Sequence, residues 1–409
     1  MEIKGIIKKF IENTLAYALP VILQQFIVYP LIAKKLGATS NGLFLSLLAL
    51  NYFIINITAS VLVNVRLLQN EKYAKEGVKG DYNIILLFFA CFDVFFVIIG
   101  SIFYSKNNIS IVDVFLSGIL VLLFLYHDYI TVQYRVELMF NKILINNIIL
   151  CVGYLLGIIV LYFISNHWQF VFIIPYTMTL VYDMKNTNYI KESFIITAFF
   201  SDTIKQYFIL MGATLLNTAV TYGDRLLLYP LLDGESVSVF SAAQLIGKMM
   251  QMLSTPITSF VLAYLVRKSQ INIKIKIKYV FLGIIGLTIL YVTCVIISYP
   301  MIHFLYPMWA NESLKYVRMT ALNGIILMLG VILNVIVLRF LEKKYQLIKS
   351  ILYLVTYIGF SFALVRVIGL WGFCLGNLIS SIVQLIYLVI IVFKKKIIEI
   401  DWKEKKANY

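Results

Sequence analysis

The chain is built from apolar runs of twenty residues or more, separated by short polar connections. As a helix rising 1.5 Å per residue, such a run crosses a hydrocarbon core of about 30 Å. Inside hydrocarbon every backbone N–H and C=O needs a partner within the protein, so only helices and closed barrels span it. Barrel strands are about ten residues long and alternate in polarity. The runs here are about twice that length and do not alternate. The expected fold class is therefore an all-α polytopic membrane protein. Twelve spans are expected, at 10–33, 43–68, 82–104, 109–133, 143–164, 169–183, 205–230, 238–267, 278–302, 318–340, 347–367 and 370–393. The sixth is the shortest. Lysines precede the first run and no small-residue cleavage site follows it, which predicts a retained helix rather than a signal peptide.

Composition closes off other classes. With 61% hydrophobic and 13% charged residues, neither a soluble domain nor disorder fits. A net charge of +15 in a soluble chain would point to nucleic acid. Here the basic residues collect where a membrane protein puts them, on cytoplasmic loops. With the N-terminus inside, 27 of the 35 Lys and Arg fall on inner segments, 6 on outer segments, and Arg225 and Lys248 within spans. Both termini are expected in the cytoplasm, and nucleic acid is not expected as a partner. Cys91, Cys151, Cys294 and Cys374 sit inside apolar runs and are expected to be unpaired. His127, His167 and His303 have no second ligand at metal spacing, so no metal site is expected. No Gly-rich phosphate loop, paired catalytic carboxylates or large outer loop is present, so no catalytic residue is assigned and no enzyme is expected.

A weak repeat organises the chain. Tyr29-Pro30-Leu31 ends the first span and is followed by Gly37 and Phe44-Leu45-Ser46; Tyr229-Pro230-Leu231 ends the seventh and is followed by Gly234 and Phe240-Ser241. Both segments run from inside to outside, as two parallel six-helix halves related by a pseudo-two-fold axis would. The expected division is a bundle at 1–183, an amphipathic cytoplasmic linker at 184–204 carrying Ile190, Phe194, Ile195 and Phe199, a second bundle at 205–393 and a basic tail at 394–409. The linker is expected to lie along the inner membrane surface. The alternating stretch 271–278 is expected to be a charged helix start or a short interfacial segment.

Polar residues inside the spans are the functional candidates. Ser241, Gln244, Lys248, Gln251 and Thr255 fall on one stripe of span eight. Lys248 lies roughly 15 Å below the outer end, near mid-bilayer, where a lysine costs about 2.5–3.5 kcal/mol on insertion scales. It either faces an aqueous lumen and holds an anionic substrate, or pairs with a buried acid such as Asp93. Span seven carries Thr214, Asn217, Thr218, Thr221, Asp224 and Arg225. This is a polar lumen wall with a gate charge or a lock between helices, and Asn217, Thr221 and Asp224 could offer oxygen ligands to Na⁺ or a proton. Span one offers Asn13, Tyr17 and Gln24, with Pro20 breaking its ladder. Spans two, ten and twelve offer Asn56, Ser60 and Asn64, then Asn323 and Asn334, then Asn377, Ser381 and Gln384. Each of these stripes alone also suits hydrogen bonding between helices. Asp93, within span three, is a proton-relay candidate or a structural acid. Asp128, Thr131 and Arg135 share a face at the inner end of span four, a latch or a surface pair. Asp113 and Asp183 are expected at the interface.

These features resemble the Wzx-like oligosaccharide flippases of the multidrug/oligosaccharidyl-lipid/polysaccharide (MOP) exporter superfamily. The likeness is carried by the opening 13–46 and by Asn217, Tyr222-Gly223-Asp224-Arg225-Leu226-Leu227-Leu228 and Phe240-Ser241-Ala242-Ala243. It implies a MATE-like pair of six-helix bundles around a cationic cavity, with Lys248 and Arg225 as cavity cations. It also implies transport of undecaprenyl-pyrophosphate-linked O-antigen or capsule repeat units from inner to outer leaflet of the bacterial cytoplasmic membrane by alternating access. Membrane lipids, and polymerase and chain-length proteins of the same pathway, would be its partners. No cofactor is implied beyond a coupling ion, H⁺ or Na⁺. Only two basic residues lie within the spans, fewer than a strongly cationic lumen would hold. Other readings are a drug/cation antiporter or a peptidoglycan-precursor flippase of the same superfamily, a membrane polysaccharide polymerase or ligase, and a structural partner of a glycan assembly complex. The excess of 28 Lys over 7 Arg suggests an AT-rich bacterial genome.

Overall fold

Apolar side chains drive these runs into helices because a helix satisfies its own backbone. The computed structural model describes residues 18–78, 80–105, 110–251, 254, 258, 273–395 and 398–401. Its helices are α1 (Ala18–Leu36), α2 (Ala38–Ile57), α3 (Ala59–Glu76), α4 (Asp81–Tyr104), α5 (Ile111–Ile130), α6 (Val132–Val136), α7 (Phe140–Phe163), α8 (Phe170–Asn186), α9 (Phe200–Leu231), α10 (Gly234–Ala243), α11 (245–251), α12 (Ile277–Leu305), α13 (Ala310–Phe340) and α14 (Lys343–Lys394). The last is two helices joined at Ile368 and Gly369, where the backbone leaves helical geometry and Gly369 takes φ 57°. All twelve expected spans are helical as far as they lie within the described residues, though span two is divided between α2 and α3, span four between α5 and α6, and span eight between α10 and α11. Among those residues eight helices are long and apolar enough to cross a membrane by length and composition, and the chain is a multi-pass membrane protein. On α12 only 6% of the most apolar window is buried, which suits a helix solvated by lipid.

The chain divides into two compact units, 1–230 and 231–409. The expected boundary lay at the 184–204 linker. By contact the break falls after Pro230, so α9 is housed with the first unit. Its Tyr207 hydroxyl donates to the Ile57 and Thr58 carbonyls at 3.1 and 3.3 Å, and Tyr104 donates to Leu226 O at 2.8 Å.

In the first unit, hydrogen bonds gather the loops at two ends. At one end Lys72 pairs with Asp202 at 3.1 Å, Tyr134 donates to Asp183 at 2.8 Å, and Asn188 N donates to Gln133 at 2.8 Å. At the other, His167 Nδ1 lies 2.7 Å from Asp113 Oδ1, and Tyr162 donates to Leu31 O at 2.9 Å. Those are the two groups of loops that the alternation of spans puts on opposite sides. The second unit sorts in the same way. Tyr387 donates to Tyr345 O at 3.3 Å, whereas Tyr316 meets Trp371 with ring centroids 5.0 Å apart. In a cysteine-free background, Lys75→Cys, Glu137→Cys and Lys191→Cys should label from one face of the membrane, and Ile111→Cys and Phe163→Cys from the other. Labelling of both sets from the same face would contradict this helix order.

The structure defines three segments more closely. The linker carries a single 3-10 turn (Tyr189–Lys191) and no regular secondary structure at 193–197. Its backbone is taken by other groups, with Asn83 Nδ2 donating to Tyr189 O and Glu192 O at 3.2 and 2.8 Å and Thr197 N donating to Asp81 Oδ1 at 2.7 Å. The alternating stretch at 271–278 forms a strand, Ile273–Lys276, paired in parallel with Ile398–Asp401 of the tail. Period-two alternation is a strand signature, and the register sets Lys274 against Glu399 and Lys276 against Asp401. Asp183, near the end of α8, is fully buried within the protein, accepting from Asn146 at 2.6 Å as well as from Tyr134.

Candidate functional site

In the second unit the residues of the span-eight stripe fall on α10 and α11. Ser241 lies in the last turn of α10, Gln244 forms a turn, and the backbone bond from Lys248 N to Gln244 O, 2.9 Å, leads into α11. Gln244 is buried; Ser241, Lys248 and Gln251 are half-buried. Thr255 and Pro256 lie outside the described residues. The stripe is held by its flanks. Phe240 packs edge-on against Phe373 at 5.1 Å, and Ile246 joins a cluster with Cys294 and Ala321. Gly247 lies against α13, where a Cβ would stand 2.7 Å from Thr320 O. Gly247→Val should therefore push the helix carrying Lys248 off α13, costing about 1–3 kcal/mol in thermal unfolding. Unchanged melting would show that this close approach is not structural.

Among the polar residues of spans ten to twelve, several bond helix to helix. Ser381 donates to Asn323 at 2.6 Å and Tyr353 to Asn377 at 3.2 Å.

In the first unit a cavity of about 240 Å³ brings together residues that the sequence placed on separate stripes: Gln24 of α1, Asp128 at the end of α5, and Arg135 of α6. Gln24 Nε2 donates to the Tyr154 hydroxyl and its Oε1 accepts from Tyr29 at 3.4 Å. A turn of π-helix, Gln24–Val28, sits just before Tyr29-Pro30. Such bulges gather at functional positions. Tyr17 and Asn13 lie outside the described residues. The same cavity is lined by groups that spacing did not reveal, His127, Asn146 and Tyr176. His127 Nε2 lies 3.1 Å from Asn146 Oδ1, and Asn146 in turn donates to Asp183. These residues come from three helices, and no single stripe exposes them.

Span seven separates its candidates. Asp224 and Arg225 are buried, 6% and 9% exposed, and Asp224 Oδ1 accepts from Arg225 N at 2.8 Å. Asn217 and Thr221 are exposed, with Thr221 donating to Asn217 O at 2.9 Å. Asp93 is fully buried and accepts from Thr58 Oγ1 at 3.0 Å; its Oδ1 has no partner among the described residues. Thr58 is the break between α2 and α3, and Tyr207 covers the carbonyls there, so this acid sits against a helix break.

The fold these helices build is that of the MOP-superfamily transporters. The solved lipid II flippase MurJ in an inward closed conformation superposes with a TM-score of 0.69, at 17% identity, over 95% of this chain and 88% of that one. An inward-facing MATE-family multidrug resistance transporter of the MOP superfamily gives 0.66 at 13% identity, over 94% and 99%. An outward-facing one gives 0.61 at 14%, over 96% and 95%. No protein-family model matches the chain. No curated protein sequence matches it either.

Proposed function

We propose that this chain is a flippase of the bacterial cytoplasmic membrane that moves polyprenyl-pyrophosphate-linked oligosaccharide from the inner to the outer leaflet by alternating access. It has no catalytic residue in this reading, and both termini face the cytoplasm. The observation that carries it is Lys248, half-buried in line with Ser241, Gln244 and Gln251 on an otherwise apolar helix. A membrane-embedded cation is costly, and mid-span charges mark substrate paths. A lysine meets a pyrophosphate as a point charge, and amide and hydroxyl side chains replace water around sugar hydroxyls. The fold shared with a lipid II flippase supports a lipid-linked cargo. Arg225, Asn217, Thr221, Gln24 and Tyr17 are proposed as further substrate-binding residues, with Asp224, Asp128 and Arg135 as gating groups. The test is export of the lipid-linked glycan by Lys248→Ala.

Coupling to H⁺ or Na⁺ is assigned to Asp93, fully buried at the α2–α3 break. Asp93→Asn should lower transport and remove its dependence on the ion gradient. Full, gradient-dependent transport by Asp93→Asn would make it a structural acid. A second reading, a drug/cation antiporter, draws on the fully buried carboxylates Asp81, Asp93 and Asp183 of the first unit and on the fold shared with MATE transporters. Drug resistance conferred by the chain without glycan export would favour it.

A further inference from the structure

At the end of the first unit where α3, α4, the α6–α7 turn and the extended linker meet lies a second cavity, about 400 Å³. Its floor is Arg66. The sequence presents Arg66 as one more inner-loop charge, but it is 5% exposed. Its guanidinium lies 3.4 Å from the centroid of the Tyr189 ring and 4.8 Å from that of Tyr82. It donates to the Tyr129 hydroxyl and to Glu192 Oε1, the latter at 2.6 Å. The Arg66 and Glu192 side chains are 6% and 7% exposed. Burial raises the Tyr189 phenol above its ordinary range while the Arg66 charge pulls it down. Asn70 and Glu137 complete the polar lining.

The lining sets one cation, Arg66, beside two carboxylates, Glu192 and Glu137, and the amide of Asn70. A phosphate would be repelled by Glu192 and Glu137, and an amine by Arg66. A neutral polyhydroxylated ring suits both signs, because each hydroxyl donates and accepts. The tyrosine walls offer flat apolar faces to its C–H groups.

We infer that this cavity is a sugar-binding subsite, taking a neutral pyranose ring of the glycan before or during transport. It rests on the reading that the cargo carries a glycan. It is a separate site from the Lys248 stripe.

The test is binding of soluble neutral mono- and disaccharides to the purified full chain, by saturation-transfer NMR and calorimetry, with inorganic phosphate and a primary amine as competitors. At least one neutral sugar should bind saturably, and neither competitor should displace it. Glu192→Gln should weaken binding at least about tenfold, the equivalent of 1.4 kcal/mol. Because that change also touches an ion pair, Asn70→Leu is the second variant: it removes a polar group from the lining, adds apolar bulk there and leaves the pair intact. It should abolish binding while melting stays unchanged. Should either variant fail to fold, the sugar should still protect Asn70→Cys from maleimide. The inference is overturned if no neutral sugar binds, if phosphate or the amine displaces it, or if binding ignores both substitutions. Sugar binding without lipid-linked transport would sink the flippase reading alone. Transport that depends on Lys248 but ignores Asn70→Leu, with no sugar binding, would sink this subsite alone.

Discussion

Lys248→Ala is expected to lower export of the lipid-linked glycan at least about tenfold while the protein still inserts and melts normally. Truncating one partner of a desolvated charge pair costs about 2–5 kcal/mol, and 1.4 kcal/mol is a decade. If the lysine meets pyrophosphate, that loss falls on substrate binding. Lys248→Arg should keep part of the function, since the charge stays but the head becomes a larger planar fork. A lysine that only neutralises a buried acid behaves differently. Its removal would destabilise the fold, and replacing the acid as well, with Asp93→Asn as the first choice, would restore export. Measuring exported glycan and protein level together in single and double variants separates the two.

Arg66→Ala is the change expected to harm the fold most. It strips a guanidinium from between tyrosine rings and leaves Glu192 buried without its cation. Breaking a buried pair from one side costs about 3–5 kcal/mol. The linker should loosen with it, since Glu192 and Tyr189 belong to that segment. Thermal unfolding in detergent should fall clearly, and proteolysis should cut first between 187 and 200. A loss below about 1 kcal/mol would show the pair to be solvent-screened, as surface pairs are.

The spans were legible because hydrocarbon forces each backbone to close its own hydrogen bonds, which leaves runs of fixed length in the sequence. The Lys and Arg bias among the loops predicts the orientation, through charge sorting across the membrane. The polar stripe through Lys248 is read from helical spacing alone; in the structure its residues are shared between α10 and α11. The Gln24–Asp128–Arg135 cavity was not visible as a unit. It is assembled by α1, α2, α5, α6, α7 and α8, each giving one or two polar groups with no local pattern; His127 was weighed only as a metal ligand. Arg66 was counted with the loop charges. Its burial depends on Tyr82, Tyr129 and Tyr189, which reach it from 16 to 123 residues away. The linker's apolar spacing gave no sign that Asp81 and Asn83 take its backbone groups. The Ile/Lys alternation at 273–276 did carry the strand period; its partner, 398–401, lies four spans further on.

The most direct measurement is translocation of a polyprenyl-pyrophosphate-linked oligosaccharide in proteoliposomes holding the purified chain, read by exposure of the glycan to an external glycosidase. With an imposed H⁺ or Na⁺ gradient, the wild-type chain should move the glycan well above protein-free vesicles, and Lys248→Ala should move no more than about a tenth as much. No movement above protein-free vesicles under either gradient, or equal movement by wild type and Lys248→Ala, would contradict the account.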